Sequence, residues 1–313
     1  MTYQLLFCTL LVIALPTPAV ARECDNFTNR FRPVRDSLEA VDAFTNLRID
    51  RAVISANKGK IACDRQRLYD KLTSKLASTP VGQVESWAGD TKDIDRLQDN
   101  QNGPESIYNK ISFFEYPLMT FGIAHSVRIN GHVIGVDKFG HFMAEGHAYY
   151  SRIVEKGGSW EKAVRWGHNT EEGYFGLSVS GVKSFGDLAA NYGGAHFWLS
   201  ILDGKDPYFT CRDGKFEKIR KFTWADYVND AWDEAINCSQ FTFHVTGVVT
   251  AALLKKGMTC PVRGTEQTCA DLVQLPDSQY YVSPVCRVNP LKSDQVFNPG
   301  SLQFWKTNGR RGD

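Results

Sequence analysis

Residues 137–142 read D-K-F-G-H-F, residues 168–172 read H-N-T-E-E, and residues 184–194 read S-F-G-D-L-A-A-N-Y-G-G. Each stretch has helical character, and each places two polar residues four positions apart. The three pairs are Asp137 with His141, His168 with Glu172, and Asp187 with Asn191. Residues at positions i and i+4 lie on one face of a helix. The pattern therefore predicts three polar helix faces that converge on one site.

A hairpin signal comes directly before this region. Asn130-Gly131 lies between two short apolar runs. The pair supplies the positive φ values of a type I′ turn, which predicts a β-hairpin. We expect the hairpin to lead into a helix over residues 137–155, which ends before the glycines at 157–158.

Capping signals predict the helices that follow. Ser159 is predicted to cap a helix that ends at Glu172, and Ser184 is predicted to cap the helix that carries the third polar pair. Thr223 begins a capping-box pattern, T-W-A-D, which predicts a helix that runs to Cys238.

Helical periodicity also covers residues 36–58 and 64–76, whereas residues 90–105 are polar and contain the loop sequence N-Q-N-G-P. The predicted fold class is mainly α, a helical domain with a short β-hairpin and a disulfide-tied, loop-rich C-terminal region. The predicted organisation is a signal peptide at 1–21, an N-terminal helical region at 22–98, a main helical domain with the candidate site at 106–240, and a cysteine-rich C-terminal region at 241–313.

The first 21 residues have the composition of a secretory signal peptide. They contain no charged side chain, a largely apolar run at 5–15, and the small residues Ala19 and Ala21 before a cleavage point near Arg22. A basic amino-terminal segment is absent, which leaves an uncleaved membrane anchor as the alternative. The apolar run is shorter than the roughly 20 residues that span a bilayer. We therefore expect a periplasmic or secreted protein with no membrane span in the mature chain.

Cysteine usage agrees with export. The chain has 8 cysteines, of which Cys8 lies in the predicted leader. Disulfides are the default for the others outside the cytoplasm, and we expect at least two, most of them between Cys211 and Cys286. Cys24–Cys63 is the expected amino-terminal pair, and the odd number leaves one thiol free or paired between chains. No C-x-x-C spacing occurs, which disfavours a thiolate zinc site.

The charge balance argues against nucleic acid as the partner. Lys and Arg number 36, Asp and Glu number 35, and the net charge is +1 at pH 7. No basic stripe is present, although a nucleic-acid-binding protein needs one. An unknown envelope component is the expected partner.

The predicted site combines imidazole and carboxylate groups. Such groups are costly to bury alone and are tolerated when paired, when bound to a metal, or around a solvated cleft. A His–Asp–Glu cluster suits a divalent metal ion, and it equally suits general acid–base chemistry. The motifs H-E-x-x-H and G-x-S-x-G are absent, which disfavours the familiar metalloproteases and α/β-hydrolases.

This chemistry assigns candidate roles. The candidate catalytic residues are His141, Asp137 and Glu172. The candidate binding residues are Lys138, Glu145, His168, Asp187 and Asn191. The candidate ligands for a divalent metal are His141, Glu172 and Asp187. A structural role is open for several of these residues, because Asp137 can cap its helix, Ser184 and Asp187 form a capping box, and Asn191 can bond a backbone carbonyl.

The patterns D-K-x-x-H-F, a later glutamate, and S-x-x-D-x-x-x-N-x-x-G resemble the VanZ-like family and small periplasmic lipoproteins that share its pattern. The matching positions are Asp137, Lys138, His141, Phe142, Glu172, Ser184, Asp187, Asn191 and Gly194. The resemblance covers residues 137–194 and implies a bacterial envelope protein with these site residues. VanZ-like proteins are small helical membrane proteins linked to glycopeptide-antibiotic resistance, whereas this chain has an export signal and cysteines.

The segment after Thr223 is strongly acidic. It carries, beside two tryptophans, the polar residues Asp226, Asp230, Asp233, Glu234 and Asn237. We expect a solvated acidic helix face. In the alternative, Asp233 or Asn237 joins the polar site.

Two functions from different classes follow from these features. The leading hypothesis is an exported envelope enzyme, a hydrolase acting on an envelope component, with Asp187 and Asn191 as orienting groups or ligands. The competing hypothesis is a non-catalytic structural or binding protein of the envelope, in which the same residues form a buried polar network. A solvent-connected cleft over His141 favours the enzyme, and a sealed, fully hydrogen-bonded cluster favours the scaffold.

Overall fold

The computed structural model describes residues 22–77, 82–98, 103–112, 114–116, 119, 122–173 and 176–287. The predicted signal peptide lies outside these residues, as does the chain after residue 287. The described part is mainly α-helical, with three short antiparallel strand pairs and three disulfides. None of its helices is long and apolar enough to cross a membrane.

The amino-terminal part forms three helices, α1 (Leu38–Ala56), α2 (Arg65–Leu76) and α3 (Gln83–Asp90). The first two confirm the helices that apolar periodicity predicts. The Asp64 side chain accepts a hydrogen bond from the Arg67 amide and so caps α2.

The predicted hairpin is confirmed as β1 (Ser126–Ile129) and β2 (His132–Gly135), which pair antiparallel. Asn130 has φ 51° and Gly131 has φ 83°, as a type I′ turn requires. The hairpin leads directly into the helix that carries the first polar pair.

That helix, α4 (residues 137–155), covers the predicted range without a break but is not uniformly α. Its α-helical turns are Asp137–Gly140 and Gly146–Tyr150, and its π-helical turns are His141–Glu145 and Ser151–Glu155. π-turns inside α-helices are rare and frequent at functional sites. The first π-turn begins at His141, inside the predicted site.

Two further helices complete the site-bearing part, α5 (Trp160–Glu172) and α6 (Phe185–Leu199). The predicted caps are confirmed, since Ser159 accepts a hydrogen bond from the Lys162 amide and Ser184 accepts one from the Asp187 amide.

Helices α4 and α6 cross at two glycines. A Cβ atom at Gly194 would lie 2.0 Å from the Phe142 carbonyl oxygen, and one at Gly146 would lie 2.6 Å from the Gly194 Cα. Only glycine permits such an approach. The close crossing holds His141 of α4 next to Asp187 of α6.

The single helix predicted from Thr223 to Cys238 is wrong. The structure has two short 3₁₀ turns instead, Trp224–Asp226 and Asp230–Trp232. Each begins at a polar side chain that accepts from the amide two residues on, Thr223 from Ala225 and Asn229 from Ala231. Such local bonds compete with a continuous helix.

The predicted solvated acidic face is wrong for the later part of this segment, although Asp226 is exposed. Asp233 and Glu234 are buried, because the irregular backbone turns their side chains inward. Asp233 pairs with Arg30, at 2.7 Å between Oδ2 and the guanidinium. Asn237 is buried as well and bonds the Ala231 and Tyr281 carbonyl oxygens.

The remaining elements frame this core. They are β3 (Val182–Lys183) paired with β6 (Gln240–Phe241), β4 (Phe209–Arg212) paired with β5 (Lys215–Lys218), α7 (Phe243–Lys255), α8 (Glu266–Leu272), a 3₁₀ turn at Ser278–Tyr280 and α9 (Pro284–Arg287). Phe142 packs in the largest apolar cluster, with its ring centroid 4.9 Å from those of Trp224 and Tyr227. This packing anchors the turn of α4 that carries His141.

Three disulfides join Cys63–Cys211, Cys238–Cys260 and Cys269–Cys286. The prediction of at least two is confirmed, and two of the three lie between positions 211 and 286. The expected pair Cys24–Cys63 is wrong. Cys63 precedes α2, where β4 brings Cys211 within 5.9 Å between Cα atoms, whereas Cys24 is a buried free thiol. Disulfides in this number fit a secreted or periplasmic protein.

Candidate functional site

The predicted site lies in a buried group of charged residues, called the charge cluster below. Its members come from the amino-terminal segment, α3, α4, α5, α6 and the segment after the second 3₁₀ turn. They are Glu23, Glu85, Asp137, Lys138, His141, Glu145, Glu171, Asp187 and Glu234. Each interacts electrostatically with at least one other member.

Lys138 is the centre of the inner part of the charge cluster. Its side chain is 0% exposed, and Nζ lies 2.6 Å from Asp137 Oδ2, 2.5 Å from Asp187 Oδ1 and 2.6 Å from Glu234 Oε1. The Cys24 Sγ is 3.5 Å away. Burial opposes the charge of the ammonium, but Asp137 and Asp187 raise the pKa of Lys138 well above its ordinary value. The three carboxylate contacts thus favour the charged form of Lys138.

Glu234 is held by two hydroxyl groups in addition to Lys138. Ser184 Oγ donates to Oε1 at 2.7 Å, and Ser239 Oγ donates to Oε2 at 3.0 Å. Ser184 therefore caps α6 and binds Glu234 at the same time. Glu234 is one of several acidic residues in the segment after Thr223, and nothing in the sequence distinguishes it from the others. Its place in the charge cluster was therefore not predicted.

His141 lies on the other side of Asp187 from Lys138. Its Nε2 is 3.2 Å from Asp187 Oδ2, and its Nδ1 is 4.0 Å from Glu145 Oε2. The side chain is 3% exposed. Burial favours the neutral imidazole, but the charges of Asp187, Glu145 and Glu171 outweigh it and raise the pKa of His141 to about 9.

Asn191 orients the His141 ring from one turn further along α6. Its amide lies 3.2 Å from His141 Nδ1. One amide atom of Asn191 also faces the carbonyl oxygens of His141 and Asp187, at 3.2 and 3.1 Å, and as the nitrogen it donates to both. That orientation fits the neutral imidazole, in which Nδ1 accepts and Nε2 donates its proton to Asp187; the charged imidazole donates from both nitrogens and pairs with the Asn191 oxygen instead.

The pKa values of the carboxyl groups in the charge cluster are shifted in opposite directions. Burial raises the pKa of Asp187, but His141 and Lys138 lower it below its ordinary value. Burial raises the pKa of Glu85 and Glu171 to about 8 and that of Asp137 to about 6, the last against the opposing charge of Lys138. Groups with pKa values on both sides of neutrality at one site are typical of functional centres.

Glu172 and His168, both predicted in the site, lie outside it. The Glu172 side chain is 54% exposed and pairs with Lys183 Nζ at 2.6 Å. His168 Nε2 bonds the Tyr280 carbonyl oxygen at 2.9 Å. The preceding residue, Glu171, faces the charge cluster and is buried. A shift of one residue turns a side chain by about 100° around a helix, and the i,i+4 spacing from His168 does not show which face is inward.

The charge cluster has an inner side and an open side. Lys138, Asp137, Asp187 and Glu234 are buried. On the other side, the Glu145 side chain is 19% exposed, and Glu85 is half-buried with its carboxylate packed against the Gly140 backbone. The His141 imidazole therefore lies between a buried ion-pair network and Glu145, the side chain of which is partly exposed.

Hydrogen bonding in the charge cluster is incomplete. Asp137 Oδ1 and Glu23 Oε2 are buried and have no hydrogen-bond partner in the part of the chain that the structure describes. Buried polar atoms without partners are uncommon and call for an explanation. The described residues thus do not form the fully bonded network expected of a pure scaffold, and His141, at 3% exposure, does not lie in the open cleft expected of the enzyme.

Six of the residues that the structure brings together were predicted from the sequence, namely Asp137, Lys138, His141, Glu145, Asp187 and Asn191. The residues that it missed are Glu23, Cys24, Glu85, Glu171 and Glu234. These missed residues carry no spacing signal, because they reach the charge cluster from separate segments of the chain. No family model, no curated protein and no solved structure matches this chain.

Proposed function

We propose that this chain is an exported envelope protein that hydrolyses an envelope component, with His141 and the carboxylates on the open side of the charge cluster as its acid–base centre. The observation that carries this proposal is the position of His141. The imidazole touches Asp187 on the inner side and approaches Glu145, 19% exposed, on the open side.

The inner side supports the proposed centre without taking part in the reaction. Lys138 pairs with Asp137, Asp187 and Glu234 and fixes their positions. Asp187 is thereby held as an anion and orients His141 through Nε2. A carboxylate in this position keeps an imidazole in one tautomer and stabilises its charged form.

Hydrolysis needs one group that takes a proton from water and one that gives a proton to the leaving group. With its pKa raised to about 9, His141 holds a proton at neutral pH and suits the acid. Glu145 suits the base, since it lies 4.0 Å from the imidazole and its side chain is 19% exposed. Water oxygen then bonds to the substrate as the bond to the leaving group breaks, and each group returns to its starting state by proton exchange.

The export signal, the disulfides and the resemblance to VanZ-like proteins support an envelope location. The resemblance covers Asp137, Lys138, His141, Asp187 and Asn191, all of which meet at the charge cluster. It carries no activity with it, and the chemistry of the substrate stays open.

The experiment is a hydrolysis screen of the purified mature chain against isolated peptidoglycan, phospholipid vesicles and envelope polysaccharide. We expect release of product from one class. We also expect loss by about 10²–10⁴-fold in His141→Gln, the range of general acid–base catalysis. Glu172→Gln is the matched control, because Glu172 is a carboxylate of the same region that faces solvent.

A pH profile separates chemistry from folding in this screen. Activity that requires charged His141 falls as the pH rises through about 9. Inactivity of the natural chain on all three classes, or full activity of a folded His141→Gln variant, contradicts the hydrolase proposal.

The second candidate function is structural, and one observation favours it. Lys138 is fully enclosed by three carboxylates and joins α4 to α6 and to the segment at Glu234. Such a network can specify the fold without chemistry. An inactive chain that unfolds on substitution of Lys138 and tolerates Glu145→Gln would support this reading.

A further inference from the structure

We infer that the outer side of α7 binds a second copy of this chain, so that two copies associate about a twofold axis with their α7 helices antiparallel. This self-association goes beyond the proposed hydrolysis and does not depend on it. The surface concerned, called the α7 face below, consists of exposed residues of one helix. They are Phe243, His244, Gly247, Ala251, Leu254 and Lys255.

Helix α7 is apolar around most of its circumference. Its inner residues are buried in an apolar cluster, namely Val245, Val249 and Leu253. On the outer side, Phe243 is 87% exposed and Leu254 is 66% exposed. Within α7 only His244 and Lys255 can carry a charge. Because helices that are apolar on all sides are normally buried, the α7 face has the composition of a surface that packs against a partner.

A neighbouring segment extends the α7 face at its amino-terminal end. Glu115 Oε2 lies 3.2 Å from His244 Nε2, which places the segment beside the first turn of α7. Phe114, the preceding residue, is 93% exposed. Phe114 and Phe243 are the two most exposed large apolar side chains in the part of the chain that the structure describes. Neighbouring exposed apolar side chains of this size are typical of interaction surfaces.

The order of side-chain sizes along the α7 face indicates that the partner is another α7. Large residues, Phe243 and Leu254, lie at the two ends, and small residues, Gly247 and Ala251, lie between them. A Cβ atom at Gly247 would meet no atom within 4 Å, so a second helix can approach the backbone there. When two such helices cross antiparallel at their small residues, Phe243 of each copy lies beside Leu254 of the other. The same surface then serves both copies, as a twofold interface requires.

The charges at the two ends of the α7 face favour the same antiparallel direction. Lys255 is at the carboxyl end of the helix, whereas Glu115 lies beside His244 at the amino end. The twofold axis therefore brings Lys255 of one copy near Glu115 of the other, twice in each dimer. The Glu115 side chain is 38% exposed, so the lysine of a second copy can reach it. A parallel arrangement would instead bring like charges together.

A second copy fits the α7 face better than a lipid surface does. Gly247 and Ala251 offer little apolar area to a bilayer, but they allow two helices to approach closely. The carboxylate of Glu115 is repelled by anionic head groups.

The size of the α7 face predicts a weak dimer. The helix has 13 residues, and a helix of this length is about 20 Å long and about 10 Å wide. Its outer side is thus smaller than the roughly 800 Å² per partner of a standard interface. We therefore expect association that is reversible and depends on concentration.

The test is analytical ultracentrifugation of the full mature chain at about 5–500 µM, the range in which a small interface dissociates. We expect a monomer–dimer equilibrium. Ala251→Arg should abolish the dimer in this range, because it places a long charged side chain at the helix crossing, and arginine is a good helix former that preserves α7. Ile61→Arg is the matched control and should keep the natural equilibrium, since Ile61 is 70% exposed in the loop between α1 and α2.

An exchange of charges tests whether the partner is a second copy in the antiparallel direction. Lys255→Glu and Glu115→Lys should each weaken the dimer by about 3–10-fold. The double variant should recover the natural equilibrium, because opposite charges then meet again across the twofold axis.

Circular dichroism establishes that each variant is folded. A natural chain that is monomeric at all these concentrations would overturn the inference, as would a dimer that persists in folded Ala251→Arg. A double charge variant that associates no better than the single variants would also overturn it. Binding of a monomeric natural chain to phosphatidylglycerol vesicles, with loss of binding in Ala251→Arg, would assign the α7 face to lipid instead and contradict self-association.

Discussion

Lys138 Nζ lies 2.6 Å from Glu234 Oε1, and this contact joins the first turn of α4 to an irregular segment almost a hundred positions later in the chain. The same ammonium binds Asp137 and Asp187. One fully buried cation therefore couples three parts of the fold, namely the backbone around Glu234, the cap of α6 at Ser184 and the start of α4.

The first prediction concerns this cation. Lys138→Met should lower the free energy of unfolding by about 3–5 kcal/mol, because it leaves buried carboxylates without their partner. Urea unfolding at neutral pH measures the change. Lys218→Met is the control, since Lys218 pairs with Asp50 at the surface, and a surface pair contributes only about 0–1 kcal/mol. Equal losses in the two variants would contradict a structural role for Lys138.

A second prediction concerns the helix crossing. Gly194→Ala should destabilise the chain by about 1–3 kcal/mol or more, because its Cβ would lie 2.0 Å from the Phe142 carbonyl oxygen. Gly247→Ala in α7 meets no atom within 4 Å and should stabilise by about 0.5–1 kcal/mol through helix propensity. Thermal unfolding of both variants tests the pair, and an unchanged Gly194→Ala variant would show that α4 and α6 do not approach as described.

The pH dependence of stability gives a third prediction. The pKa of Glu171 is raised to about 8 in the folded chain from an ordinary value of 4.5. The contribution of Glu171 to the stability of the folded chain is fully present below pH 4.5 and is lost as the pH rises towards 8. His141 acts with the same sign, from its ordinary 6.5 up to about 9. The free energy of unfolding should therefore decrease from pH 5 to pH 9. Asp187 has the opposite effect at acid pH, because its pKa is lowered in the folded chain and its contribution is lost as the pH falls.

Adjacent glutamates on α5 supply the matched variants for this pH effect. Glu171→Gln should flatten the fall in unfolding free energy between pH 5 and pH 8, because the buried carboxyl group no longer titrates. Glu172→Gln should keep the natural slope, since that side chain is half exposed and pairs with Lys183 at the surface. Equal slopes for the two variants, measured by urea unfolding, would be evidence against a buried Glu171.

A fourth prediction concerns the cysteines. Under denaturing, non-reducing conditions the mature chain should react with one equivalent of maleimide, at Cys24, because the other six cysteines form disulfides. Without denaturant, Cys24 should stay unreacted, since it is buried beside Lys138. Peptide mass mapping locates the label, and a label at Cys63 or Cys211 would contradict the pairing described here.

Patterns that act locally were predictable. Asn130-Gly131 specifies the hairpin turn by backbone conformation, and Ser159 and Ser184 specify helix starts by capping. The polar pairs of α4 and α6 were predictable for the same reason, because i,i+4 spacing is a property of the helix itself.

Contacts between distant segments were not predictable from spacing. Glu234 reaches Lys138 only because two 3₁₀ turns replace the expected helix. Glu171 rather than Glu172 faces inward because packing of α5 decides which side is buried. The partner of Cys63 depends on where β4 lies, which no local pattern encodes.

The decisive test of the proposed acid–base centre is the hydrolysis rate of Glu145→Gln on the component that the natural chain cleaves, measured together with the melting temperature of the variant. Glu145 lies on the open side, 4.0 Å from His141 and 19% exposed, so its replacement should cost little stability. We expect a rate lower by about 10²-fold or more with a nearly unchanged melting temperature. A natural rate in Glu145→Gln would contradict the assignment of function to this side of the charge cluster.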